Sequence, residues 1–189
     1  MNVRMALAGL LICAVSACGG SNTSSEFDLE SYDAIAAQGD ALALEIGTAQ
    51  PTPLADLGSV GAATYKGALF LNVPSAPTIA VLGEARLNVD LTNGTVDGVA
   101  GNFFTLIEEP AAGLLTFSNG QVSGTTQANL SADVSGEIAF EDTSRVIDAT
   151  LSAAVIGEEG DYVSGTVIGT GTTQDSVDGA VTGNILLAR

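Results

Sequence analysis

The chain has 189 residues and a formal net charge of −17, with 22 acidic residues against five basic ones. That balance excludes nucleic acid as a partner, because phosphates are held by Lys and Arg side chains that displace counterions. There is no His and no Trp, and the only two cysteines are Cys13 and Cys18, so a Ser-His-Asp triad, a Cys-His pair and a Cys-ligated zinc site are all excluded.

The first residues read as an export signal. Arg4 supplies the early positive charge, Met5 to Val15 is an apolar run, and the small residues Ser16 and Ala17 precede Cys18. The run is shorter than the ~18 residues a spanning helix needs. Val15-Ser16-Ala17-Cys18 resembles the bacterial lipoprotein box, which implies cleavage after residue 17 and acylation of Cys18. Cys13 leaves with the signal, so Cys18 has no disulfide partner in the mature chain. Residue 19 is Gly and not the Asp that marks inner-membrane retention in the enterobacterial sorting pattern, so the expected address is the bacterial outer membrane, on the cell surface or its periplasmic face. The expected domains are a signal peptide over 1–17 and a Gly/Ser-type flexible tether over 18–25.

A helix is expected over 26–47. Ser25 and Asp28 suggest a capping box, Phe27, Ile35 and Leu42 recur on one face, Gly39 weakens the middle and Gly47 closes the end. Pro51 and Pro53 make 48–59 a linker.

From residue 60 to 189 the apolar period changes to two. Ala85, Leu87, Val89 and Leu91 alternate with Arg86, Asn88 and Asp90; later runs do the same through Ile147 to Val155 and Val181 to Leu187. Eight strands are expected at about 60–73, 79–91, 95–107, 113–118, 121–134, 137–141 with 145–156, 162–172 and 177–188. Asn93-Gly94 and Asn119-Gly120 are read as hairpin turns. The fold class is therefore all-β: an antiparallel up-and-down barrel of about eight strands behind a short N-terminal α-helix. Closure removes sheet edges, and the mixture of Gly and Ala with Leu, Val and Ile on the inward face suits a narrow interior. The polar outward face and the scarcity of aromatics argue against a barrel that itself spans the bilayer.

"SVGAATYKGALFLN" resembles the opening strand of the barrel in transferrin-binding protein B-like lipoproteins, with Gly61, Ala63, Tyr65 and Gly67 in the family's Gly-x-Ala-x-Tyr-x-Gly pattern; the four alternate and are expected to share one strand face. "ARLNVDLTNGTVDG" resembles the family's next strand and turn at Asp90, Asn93, Gly94, Val96 and Gly98, with Leu91 and Thr92 in place of the aromatic and Gly. The closing strand is degraded: Ala149, Leu151 and Ala153 stand where the family has Gly-x-Phe-x-Gly, while Gly165 and Gly169 fit. The resemblance implies a lipid-anchored envelope binding protein associated with metal or iron-carrier uptake. Larger members have two lobes and take transferrin; this chain has one barrel, so transferrin binding is not carried over, and no ligand residue transfers.

The expected role is non-enzymatic, with no cofactor and no metal. Partners are the membrane, through Cys18, and a protein or small-molecule ligand at the loops 74–78, 108–112 and 157–161. The alternative is a structural envelope lipoprotein with no small ligand, holding a protein partner through an exposed Phe27, Ile35 and Leu42 face. Glu108-Glu109 and Glu158-Glu159 read as solvated acidic turns, and "EEGDY" at 158–162 lacks the spacing of a calcium loop.

Overall fold

The computed structural model describes residues 27–29, 31–57, 61–74, 78–140, 143–173 and 179–189. The helix α1 spans Tyr32–Ile46, and a 3₁₀ turn spans Leu54–Leu57. Eight strands follow: β1 Ala62–Val73, β2 Ile79–Asp90, β3 Thr95–Thr105, β4 Pro110–Ser123, β5 Asn129–Phe140, β6 Thr143–Ile156, β7 Tyr162–Thr173 and β8 Gly179–Ala188. Each pairs antiparallel with the next, and β1 pairs with β8 from Lys66↔Ala188 to Asn72↔Thr182, so the sheet closes into an up-and-down barrel. The expected fold class is the observed one.

One end, here the linker end, holds residues 48–57, the connections 91–94, 124–128 and 157–161, and Arg189. The opposite end holds Pro74, Thr78 and the β3–β4 turn.

The alternating pattern fills the bore. Tyr65, Leu69, Leu71 and Val73 of β1 meet Leu87, Phe103, Phe117, Ile138, Leu151, Val167 and Ile185 from the other strands in one continuous apolar cluster. Each fully buried aliphatic or aromatic side chain of this kind contributes roughly 1.5–3 kcal/mol. Most outward positions of β5 to β8 are polar: Ser131, Asp133, Thr150, Ser152, Thr166 and Asn184 are all exposed, with Val146 and Ile168 as large apolar exceptions.

Three sequence expectations need correction. The strands expected at 113–118 and 121–134 do not break at Asn119-Gly120. There β4 continues, Gly120 pairs with Val96, and Gln121 pairs with both Thr95 and Ser131. Asn119 takes a left-handed φ of 52° as a bulge and its side-chain amide donates to Asp133. The real turn is Gly124 to Ala128, whose two threonines read as strand. Residues 129–140 are then one strand, passing through Gly136, and the sixth strand starts at Thr143. Asn93-Gly94 does turn, because Asp90 accepts from the backbone N–H groups of Thr92 and Asn93 and from the Asn93 amide. Those bonds, the Asn93 backbone first, hold the Asp90 carboxyl below its usual pKa.

The second correction concerns α1, which begins at Tyr32 with Ser31 as its N-cap. Ser25 lies outside the described residues. Residues 27–29 are non-helical because their backbone groups are bonded to the barrel. The third is Gly61, which precedes β1 with a φ of +69° and shares no strand face with Ala63, Tyr65 and Gly67.

Candidate functional site

Two constructions on this barrel exceed what a bare scaffold needs: a strap on its wall and a seal at its linker end. The strap is residues 27–29. On β2 and β3, Leu82 pairs with Phe104 and Glu84 with Gly101, which leaves Asn102 and Phe103 opposite the single Gly83. Asn102 sits at the left-handed φ of 51° in this bulge. Its side-chain amide is thereby aimed at the strap, where it donates to the Leu29 carbonyl. The buried Glu84 carboxylate accepts from the N–H of Asp28 at 2.9 Å and of Leu29 at 2.5 Å. Phe27 occupies the space above Gly101, where a methyl group would come within 2.6 Å of the ring.

Lys66 and Arg86 stand directly opposite each other across β1 and β2. Like charges at such positions repel. Asp28 answers them: its carboxylate accepts from Lys66 Nζ at 2.5 Å, and that bond, with Arg86 adding a smaller attraction, lowers its pKa. The pair is half exposed, so it orients the strap more than it stabilises it.

From the strap, α1 runs along the outer wall. Ile35 and Leu42 are buried, and Ile35 packs with Ala68 and Leu82 of the wall. Gly39 lies over Ala68, whose methyl would be 3.3 Å from a Cβ there, so the residue expected to weaken the helix lets it approach the barrel closely. The apolar face that the structural alternative needs exposed is thus laid on β1 and β2. Leu44 remains exposed.

The linker, and not the helix, closes the barrel end. Pro51 bridges to Ile156, the Thr52 N–H donates to the Val155 carbonyl, and the Thr52 carbonyl accepts from Ala128. The Thr52 hydroxyl donates to the Gly157 carbonyl. The 3₁₀ turn then drops Leu57, fully buried, into the apolar cluster of the bore. Tyr65 reaches the same end from within, its hydroxyl donating to the Gly160 carbonyl at 2.8 Å. Burial pushes its pKa above the ordinary value.

Beside this seal is a cleft of about 620 Å³ between the helix end, the linker and the β6–β7 turn. Glu45, Asp56, Glu158, Asp161 and Tyr162 are among its lining residues. The Glu45 carboxylate near the Tyr162 hydroxyl raises the phenol pKa. Asp161 accepts from Arg189 at 2.9 Å. The lining favours cationic or donor-rich groups.

At the opposite end Arg145 is buried, with Nε donating to the Pro74 carbonyl at 2.8 Å and the guanidinium 5.5 Å from the centre of the Phe140 ring.

The expected contact loops divide between the two ends. Pro74 and Thr78 of the first loop and the turn at 108–109 share the end of Arg145, with 75–77 outside the described residues and 110–112 inside β4, while 157–161 borders the cleft at the linker end. Glu108-Glu109 and Glu158-Glu159 are exposed turn residues. Among the described residues no three His, Cys, Asp or Glu side chains converge as a metal would require. Cys18, with the signal and tether, lies outside the described residues. The linker seal and the Glu84 strap were missed by sequence reading; a carboxylate on the outward face of β2 beside two cations was the available signal for the second.

Tyr65 gives a pH prediction. A phenol whose folded pKa lies above its unfolded value contributes stability that is complete below about pH 10 and is lost as pH rises through the folded value. Tyr65→Phe should therefore lose about 1 kcal/mol at neutral pH through the missing hydrogen bond and show a shallower loss of stability above pH 10. Denaturant titrations at several pH values check both, and an unchanged alkaline limb would refute the assignment.

Neither a protein-family model nor a curated protein matches this chain.

Proposed function

We propose that this chain is a lipid-anchored, non-enzymatic envelope protein whose barrel is a rigid scaffold that binds at its outer surface and ends. The observation that carries this reading is the packed bore, occupied by a single apolar cluster that includes a residue of the linker. An interior so filled leaves recognition to the exterior, where loops on a rigid frame carry it. The acidic cleft at the linker end is an exterior recess suited to a cationic or donor-rich ligand.

The anchor reading rests on the lipoprotein-box resemblance at Val15 to Cys18 and on the polar wall of β5 to β8, which suits water better than lipid. The short glycine motifs and the eight-stranded barrel support a likeness to the barrel of transferrin-binding protein B-like lipoproteins, with metal or iron-carrier uptake as the associated process and the outer membrane as the location.

Fractionation tests the anchor. Wild-type protein should sediment with membranes, and Cys18→Ser should move to the soluble envelope fraction. A variant that still sediments would remove the lipid from the account.

A further inference from the structure

The β3–β4 turn is built to hold two large apolar side chains in solvent. Leu106 is 53 % exposed and Ile107 75 % exposed, and they are adjacent in the chain. The turn beneath them is rigidly bonded: the Thr105 N–H donates to the Glu109 carbonyl at 2.8 Å, the Glu108 N–H to the Thr105 carbonyl at 2.9 Å, and the Glu109 N–H to the Thr105 hydroxyl at 3.2 Å. Glu108 is held at a φ of +66°, a conformation that costs a non-glycine residue.

The chain's own attachment says what lies nearby. Phe27 is locked over Gly101 of β3, five residues before Leu106 in the turn that follows that strand, a distance of about 16 Å along the chain. Residues 18–26 separate Phe27 from Cys18, and nine residues reach about 30 Å at full extension. A bilayer holding Cys18 is therefore within reach of either end of the barrel; the linker end offers the single exposed Leu44 near the end of α1, whereas the turn offers an adjacent apolar pair, and the pair selects its end. We propose that Leu106 and Ile107 contact the bilayer that carries the anchor, so that the cleft at the linker end is displayed away from it. This inference rests on the lipid-anchor reading. The adjoining exposed Glu108 and Glu109 limit the depth to the headgroup–acyl boundary and weaken the contact on anionic lipid.

The test supplies the attachment chemically, so it does not depend on whether cells acylate Cys18. Residues 18–189 are coupled through the Cys18 thiol to phosphatidylcholine vesicles containing a maleimide lipid and acyl-brominated phosphatidylcholine. The chain has no Trp, so single tryptophans report cleanly. Ile107→Trp and Leu106→Trp probe the turn. Thr126→Trp, exposed at the linker end, carries the same intrinsic preference of Trp for interfaces. Coupled Ile107→Trp should lose roughly half or more of its emission to a quencher at acyl depth, Leu106→Trp likewise, and Thr126→Trp little. Phosphatidylglycerol vesicles should reduce the difference. Equal quenching at both ends, or none at the turn in either variant, overturns the proposal; absence at the turn would leave the apolar pair to a protein partner. Failure of the Cys18→Ser fractionation with success here would remove the native anchor alone.

Discussion

Replacing Leu57 by Ala should destabilise the barrel by about 3 kcal/mol, as large-to-small substitutions at fully buried positions do, although Leu57 lies outside every strand. Leu57 is completely buried and packs in the same cluster as Tyr65, Val155 and Val163. Its neighbour Gly160 would place a methyl 2.4 Å from the Leu57 side chain, so the β6–β7 turn is moulded around it. The loss should appear as a lower urea midpoint with the m-value unchanged, since the strands themselves stay paired. A midpoint within error of wild type would mean that the linker merely covers the barrel end.

Gly83→Val should be about as damaging, for the opposite reason. The Phe103 ring fills the space where a side chain at 83 would stand, with its nearest carbon 2.3 Å from an ideal Cβ. Phe103 is itself buried, so it has little room to withdraw. Overpacking of this kind costs typically ~1–3 kcal/mol and more where backbone also resists; here the Gly101 carbonyl lies 2.8 Å from the same point. Phe103→Ala alone should cost about 3–5 kcal/mol by leaving a cavity. The double variant should be less unstable than the two losses together, because the valine enters that cavity. Additive losses in urea titrations would show that residues 83 and 103 do not share one volume.

The barrel was legible because its strands obey one rule nearly everywhere. Ile147, Ala149, Leu151, Ala153 and Val155 alternate on β6, and all five are buried. The same rule fails where a turn and a bulge use the same residues. Asn93-Gly94 and Asn119-Gly120 are identical as dipeptides, and what separates them is Asp90, three residues before the first, whose carboxylate organises the turn. No such acceptor bond organises a reversal at Asn119, whose amide instead bonds to Asp133 on the neighbouring strand.

The helix start was misplaced for a tertiary reason. Ser25, Asp28 and the apolar spacing all satisfied local helix rules, yet Glu84, far along the chain, claims the N–H groups of Asp28 and Leu29. The linker seal was hidden similarly. Pro51 and Pro53 lie beyond the helix, which Gly47 caps, but nothing local indicates that Thr52 bonds to Val155 and Ala128 or that Leu57 enters the bore. Of the surface features, the acidic turns at 108–109 and 158–159 were visible in sequence. The cleft was not, because Glu45, Asp56 and Asp161 come from three segments that only the closed barrel brings together.

The central claim, a packed barrel held at the membrane through its first mature residue, is tested most directly by the intact mass of the chain extracted from envelopes with detergent. The account predicts a polypeptide beginning at Cys18 that carries a diacylglyceryl group on the thiol. A mature chain that begins elsewhere, or that begins at Cys18 with an unmodified thiol, would contradict it.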